Sequence, residues 1–139
     1  MIYKRLIILL FCFPVFSISQ NTKDVGFLKD MPYLKYKINC DSTSGSNIEH
    51  RICLNIELRK TDSLMLSKFN KYIALVDSDS TKIKLKDFQK AWEKERKILS
   101  QHMSDGLEGN SEAIIYMHSM LTITEHRIRT LDFLLEDKF

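Results

Sequence analysis

Five polar side chains fall on lines of this chain that a helical reading reserves for hydrophobic groups. Arg96 lies four residues after Trp92, the only tryptophan, and Gln89 lies three before it, so on a helix they share or border one stripe with Leu85, Phe88 and Leu99. Asp62 interrupts a row made by Leu58, Met65, Phe69, Tyr72 or Ile73, and Val76. Thr124 interrupts Ile114, Met117, Leu121, Ile128, Leu131 and Leu135, and Arg127 stands three residues on along its flank. A charge withdrawn from water needs a partner. A planar guanidinium against a carboxylate supplies one and fixes orientation at the same time. The chemistry these residues imply is therefore recognition between helices: Asp62 faces Arg96, and Gln89, Thr124 or Arg127 completes the hydrogen bonds. The alternative pairs Asp62 with Arg127 and turns Arg96 to Glu57. Trp92 is expected in the core.

Other chemistries find little support. There is no nucleophile–base pair, no metal-ligand spacing and no glycine-rich phosphate loop. His50, His102, His118 and His126 are scattered, and the last two stand too far apart on one helix to share a metal. The chain is read as a non-enzyme without cofactor or metal. The polar residues then have two readings: a network that sets helix register, or the edge of a surface for a partner. The sequence alone does not separate them.

Three helices have to position these residues. The first begins at Ser46 or Asn47, where Ser46-Asn47-Ile48-Glu49 is a capping-box pattern, and it stops at Asp77-Ser78-Asp79-Ser80. That turn also supplies an N-cap for a second helix over roughly Thr81–Met103, whose outer faces are lysine-rich. Asp87, Glu93 and Glu95 interleave with those lysines, so the face is read as solvated. Residues Ser104–Asn110, with two of the four glycines, form the second turn before a third helix over about Ser111–Glu136. Alternating steps of three and four along that helix are the seam of antiparallel bundle packing. Short turns between long helices imply an all-α, up-down-up three-helix bundle.

The first 19 residues read as a secretory signal: Lys4 and Arg5, then an apolar core over Leu6–Phe16, then Ser17-Ile18-Ser19 ahead of a cut before Gln20. An uncleaved membrane anchor is the alternative, but the apolar run is short for a span. Cleavage removes Cys12 and leaves Cys40 and Cys53, an even number in an oxidising compartment. A bridge between them closes a loop of thirteen positions, worth about 3 kcal/mol by chain entropy. Residues 20–39 form an N-terminal extension, read as a short helix broken near Pro32 or as a strap across the core. It carries too many large apolar groups for a free tail. The mature chain has 19 basic against 18 acidic residues, a net charge of +1. That leaves no global field for nucleic acid or for an anionic membrane.

Taken jointly, the quoted residues resemble the lysozyme inhibitor LprI-like family of small secreted domains. The family pattern is an N-terminal cysteine pair, Glu-Leu and an Asp on the first helix, Gln-x-x-Trp-x-x-x-Arg on the second, and Thr-x-x-Arg-x-x-x-Leu on the last. Here these look like Cys40 and Cys53, Glu57-Leu58 and Asp62, Gln89/Trp92/Arg96, and Thr124/Arg127/Leu131. The resemblance covers about residues 38–135 and delimits an LprI-like helical domain over 40–139, after a signal (1–19) and an extension (20–39). It implies Glu57 as a further member of the polar signature and lysozyme inhibition as the activity. A second cysteine pair common in the family corresponds to Ser100 and Ser119 here, a joint loss that strands no thiol. Phe69 stands where a Tyr is usual, and Leu66 where an Asn is usual.

The sequence is therefore read as an exported binding protein, periplasmic or secreted, whose partner is a lysozyme or another envelope protein. A cell-envelope structural or adaptor domain is the alternative. No membrane insertion after signal cleavage and no nucleic-acid binding are expected. The mature protein should start at or near Gln20 and hold no free thiol, which intact mass before and after alkylation of the unreduced protein checks. Cys53→Ser should lower stability by about 2–5 kcal/mol in urea unfolding.

Overall fold

The computed structural model describes residues 38–42 and 44–137. The signal at 1–19 and all but the end of the extension lie outside the described residues. Three helices make up the fold: α1 (Asn47–Ala74), α2 (Asp79–Met103) and α3 (Gly109–Glu136), with no strand among the described residues. The Ser46 hydroxyl accepts the Glu49 amide proton and so caps α1. The Glu49 carboxylate reaches further back than a capping box requires and accepts from both the amide (2.8 Å) and the hydroxyl of Ser44. These bonds hold the Glu49 carboxyl below its ordinary range, the Ser44 hydroxyl contributing most. Ser78 caps α2 through the Thr81 amide, so that helix starts two residues earlier than the sequence indicated. The Cys40–Cys53 disulfide ties the incoming chain to the second turn of α1.

Cross-helix contacts give the directions. Arg51 near the start of α1 donates to Asn110 at the start of α3 (3.2 Å), and Lys68 near the end of α1 pairs with Asp132 near the end of α3. The first and third helices are therefore parallel and α2 runs back between their ends, an up-down-up bundle. α3 packs along both of the others, most extensively along α1, while α1 and α2 meet chiefly through side chains.

That central place explains a difference from the sequence reading of α3. Its seam supplies buried Met117, Leu121, Thr124 and Leu131, but Ala113, Tyr116 and Met120 are buried too. A helix with a neighbour on two sides buries more than one stripe. The core falls into two clusters. The lower one joins Leu54 and Leu58 of α1 to Ala113, Tyr116, Met117, Met120 and Leu121 of α3. The upper one joins Met65, Phe69 and Ile73 to Leu131, with Tyr72, Leu85, Trp92 and Ile128 packed against it. Asp62 stands between Leu58 and Met65, and Thr124 between Leu121 and Ile128, so a polar layer divides the two.

The second helix departs most from expectation. Phe88 and Leu99, placed on the inward stripe by their spacing, are 56% and 44% exposed. The buried side chains of α2 are instead Gln89, Arg96 and Ser100, and no hydrophobic residue of α2 is fully buried. The helix is rotated so that its polar line points inward, because Arg96 finds acceptors there and none outside. Leu99→Ser should accordingly change stability by less than about 0.5 kcal/mol. Met117→Ala, which empties a fully covered site on α3, should cost about 2–5 kcal/mol in the same denaturation assay.

Candidate functional site

Arg96 enters the bundle from the middle of α2 and its side chain is only 7% exposed. Its Nη1 donates to Asp62 Oδ1 on α1 and to Thr124 Oγ1 on α3, and its Nη2 lies 3.5 Å from Asp62 Oδ2. One planar group thus touches both neighbouring helices at the same level. The Thr124 hydroxyl donates 2.7 Å to the Met120 carbonyl one turn back in its own helix, which orients a lone pair towards Arg96. Asp62 is the outer member of the pair: 36% of its side chain remains in water. The carboxylate is thus solvated on one side while the guanidinium is not, which lowers the desolvation cost of the pair.

One turn up, Gln89 and Arg127 make a second junction. The Gln89 Oε1 accepts from Arg127 Nε (3.3 Å) and Nη2 (3.1 Å), a fork closing on one oxygen. The Gln89 amide nitrogen lies 3.3 Å from the Met65 sulfur on α1 and 3.2 Å from Glu93 Oε1 on its own helix. Partial burial pushes the Arg127 guanidinium below its ordinary pKa. Trp92 packs against the upper cluster but is half-buried, so it is a rim residue of the core and not its centre. Its ring lies under two cations, with Arg96 at 5.0 Å and Arg127 at 5.7 Å from the centroid, and Arg127 also covers Phe88 at 5.2 Å. The aromatic face carries the negative end of the ring quadrupole, so these stacks hold both arginines in place.

The structure brings together Asp62, Gln89, Arg96, Thr124 and Arg127, with Trp92 beside them. It does not bring Glu57, which is exposed on the flank of α1, about 100° around the helix from the inward Leu58. The alternative pairings of Asp62 with Arg127 and of Arg96 with Glu57 are both overturned, since Arg96 takes Asp62 and Arg127 takes Gln89. Ser100, fully buried one turn below Arg96, and Asn55, buried on α1 with its amide 3.8 Å from the Met117 sulfur, escaped the sequence reading. Short polar side chains give no periodic signal, although the i+4 step from Arg96 to Ser100 was available. Ser119 is half-buried, and all four histidines are exposed. Among the described residues no helix is long and apolar enough to cross a membrane.

The layer that Asp62, Arg96 and Thr124 build lies within a stretch that a known family covers. The family model described as lysozyme inhibitor LprI matches residues 40–131, from the first disulfide cysteine to the buried Leu131 that closes the upper cluster. The chain belongs to the LprI family. Neither the curated proteins nor the solved structures contain a match. LprI is an inhibitor family and not an enzyme family, and what joins the helices of this member is a set of paired polar groups.

The geometry makes the two halves of the ion pair unequal. Asp62→Ala leaves a buried guanidinium with Thr124 alone, and should cost about 3–5 kcal/mol. Arg96→Ala leaves a carboxylate that already reaches water, and should cost less, about 1–3 kcal/mol. Arg96→Lys should also destabilise, because an ammonium cannot span two helices. Lys94→Ala and Lys97→Ala, on the exposed face, should stay within about 0.5 kcal/mol. A double-mutant cycle in urea should give an Asp62–Arg96 coupling of about 1–3 kcal/mol; a value near zero would reject the pairing.

Proposed function

We propose that the mature chain is an exported, LprI-type protein that binds and inhibits a lysozyme by surface contact, with no catalytic chemistry of its own. The observation that carries this reading is the family match over residues 40–131, together with the burial of Gln89, Arg96 and Thr124 between the helices. Side chains that hold three helices in register are not available to a partner, so the partner meets the exposed residues around them. The polar layer serves the interaction indirectly, by fixing the spacing of the three helix surfaces. Export is supported by the secretory pattern of residues 1–19 and by the disulfide, a bond of oxidising compartments.

A cell-envelope structural or adaptor role without inhibition is the second reading. It is favoured by the outer face of α2, where Lys84, Lys86, Lys90, Lys94 and Lys97 are all exposed. Animal-type lysozymes are basic, and such a face repels a basic partner.

Purified mature protein should slow the lysis of cell walls by a lysozyme at stoichiometric amounts, read as turbidity against time. Phe88→Ser or Lys90→Glu should change the inhibition without unfolding the protein if α2 is part of the contact. Absence of binding and inhibition at micromolar concentration, across animal and microbial lysozymes, would leave the adaptor role.

A further inference from the structure

Two of the cations that join helices in this bundle meet a carboxylate: Arg96 takes Asp62, and Lys68 takes Asp132. Arg127 meets none among the described residues. Its acceptor is the neutral Gln89 oxygen, reached by Nε (3.3 Å) and Nη2 (3.1 Å). Glu93 is engaged by the Gln89 amide nitrogen, and Glu95, exposed further along α2, makes no ion pair with Arg127. The Tyr72 hydroxyl on α1 is near enough to bias the guanidinium, but a phenol is uncharged at neutral pH. A half-buried cation without a counter-ion gains more from an arriving anion than one in open water does.

The group is also aimed. A guanidinium offers two edges with paired N–H groups. Gln89 occupies the Nε/Nη2 edge, while Nη1 donates to nothing among the described residues and is not sealed from water. The Nη1/Nη2 edge is therefore open, in the fork geometry that takes both oxygens of a carboxylate. Phe88 and Trp92 hold the group, their ring centroids 5.2 and 5.7 Å from the guanidinium carbon. An arginine fixed in this way loses little further freedom on binding.

The surroundings are apolar. Phe88 is exposed beside the guanidinium, and Leu99, also exposed, continues its stripe on α2. Trp92 on α2, and Ile123 and Leu134 on the flank of α3 that carries Arg127, are half-buried. Arginine and aromatic side chains within an apolar collar are the composition of the energetic centre of a protein interface. Lys86, Lys90, Lys94 and Lys97 lie about 120° or more around α2 from Phe88, so a basic partner seated here does not face the lysine row. We propose that the α2–α3 seam is the surface on which this protein meets its partner, with an acidic side chain of that partner in the open edge of Arg127 and apolar surface over Phe88. The assignment rests on the protein-binding reading above and adds the surface and its chemistry.

The seat is tested first without any partner protein. Acetate, titrated into the whole mature chain at constant ionic strength, should shift the Arg127 Nε–H and Trp92 indole N–H resonances saturably. The Trp92 shift should be lost in Arg127→Lys, which keeps the charge but not the fork. Absence of a saturable shift in the unaltered chain would overturn the seat. Tighter binding of inorganic phosphate than of acetate would also overturn it, since the occupant would then be a phosphate group. Lysozyme inhibition is the second measurement. Phe88→Ser and Arg127→Lys should each weaken it by roughly tenfold or more, while Lys94→Ala should leave it unchanged. Undiminished inhibition by Phe88→Ser would reject the surface, and this exposed variant serves alone if Arg127→Lys does not fold. If no lysozyme binds the unaltered protein while acetate still saturates, the lysozyme reading fails and the carboxylate seat stands, so the two failures are told apart.

Discussion

A full positive charge sits in the middle of this bundle, and the three helices are arranged around its requirements. The Arg96 guanidinium needs acceptors in the plane of its fork, and it finds them on two different helices, the Asp62 carboxylate on α1 and the Thr124 hydroxyl on α3. Sliding α2 by one turn, or rolling it to bring Phe88 and Leu99 inward, would put this charge against hydrocarbon. Hydrophobic contacts alone tolerate such slips, because one apolar side chain substitutes readily for another. The polar layer does not tolerate them. It therefore adds little net stability but selects one register among several of similar apolar burial. The core is divided in two as a consequence, with the Leu58 cluster below the layer and the Met65 cluster above it.

Much of this was legible in the chain. Helix limits followed from Ser46, Ser78 and the glycine turn, and the polar breaks at Asp62, Arg96 and Thr124 stood out because each falls inside an otherwise regular apolar row. The orientation of α2 was not legible. Its apolar residues at helical spacing compete with its polar ones for the inward face, and the contest is decided by groups on the other helices, which periodicity within one helix does not register. The additional buried line of α3 was missed for a related reason: only a helix placed between two partners buries Tyr116 and Met120 as well as Met117 and Leu121. Glu57 shows the opposite error. Its neighbour Leu58 points inward, so Glu57 is turned outward by the helix itself, and family likeness was a poorer guide to its direction than a count of residues per turn. The Glu49 cap was half visible: the serine at its expected place, the carboxylate committed largely to Ser44.

The order in which the helices meet has a consequence for how the molecule is made. The partner of both α1 and α2 is α3, which lies downstream of both, and the most extensive packing joins segments about sixty residues apart. During synthesis the first two helices emerge with only each other to pack on. Their mutual contact is a side-chain bridge that itself relies on Thr124. Such a chain stays open until residues near Leu131 are released, because non-local contacts must be closed before they reward the loss of chain entropy. The architecture that makes the third helix indispensable to the finished bundle thus also places the closure of the fold at the end of synthesis.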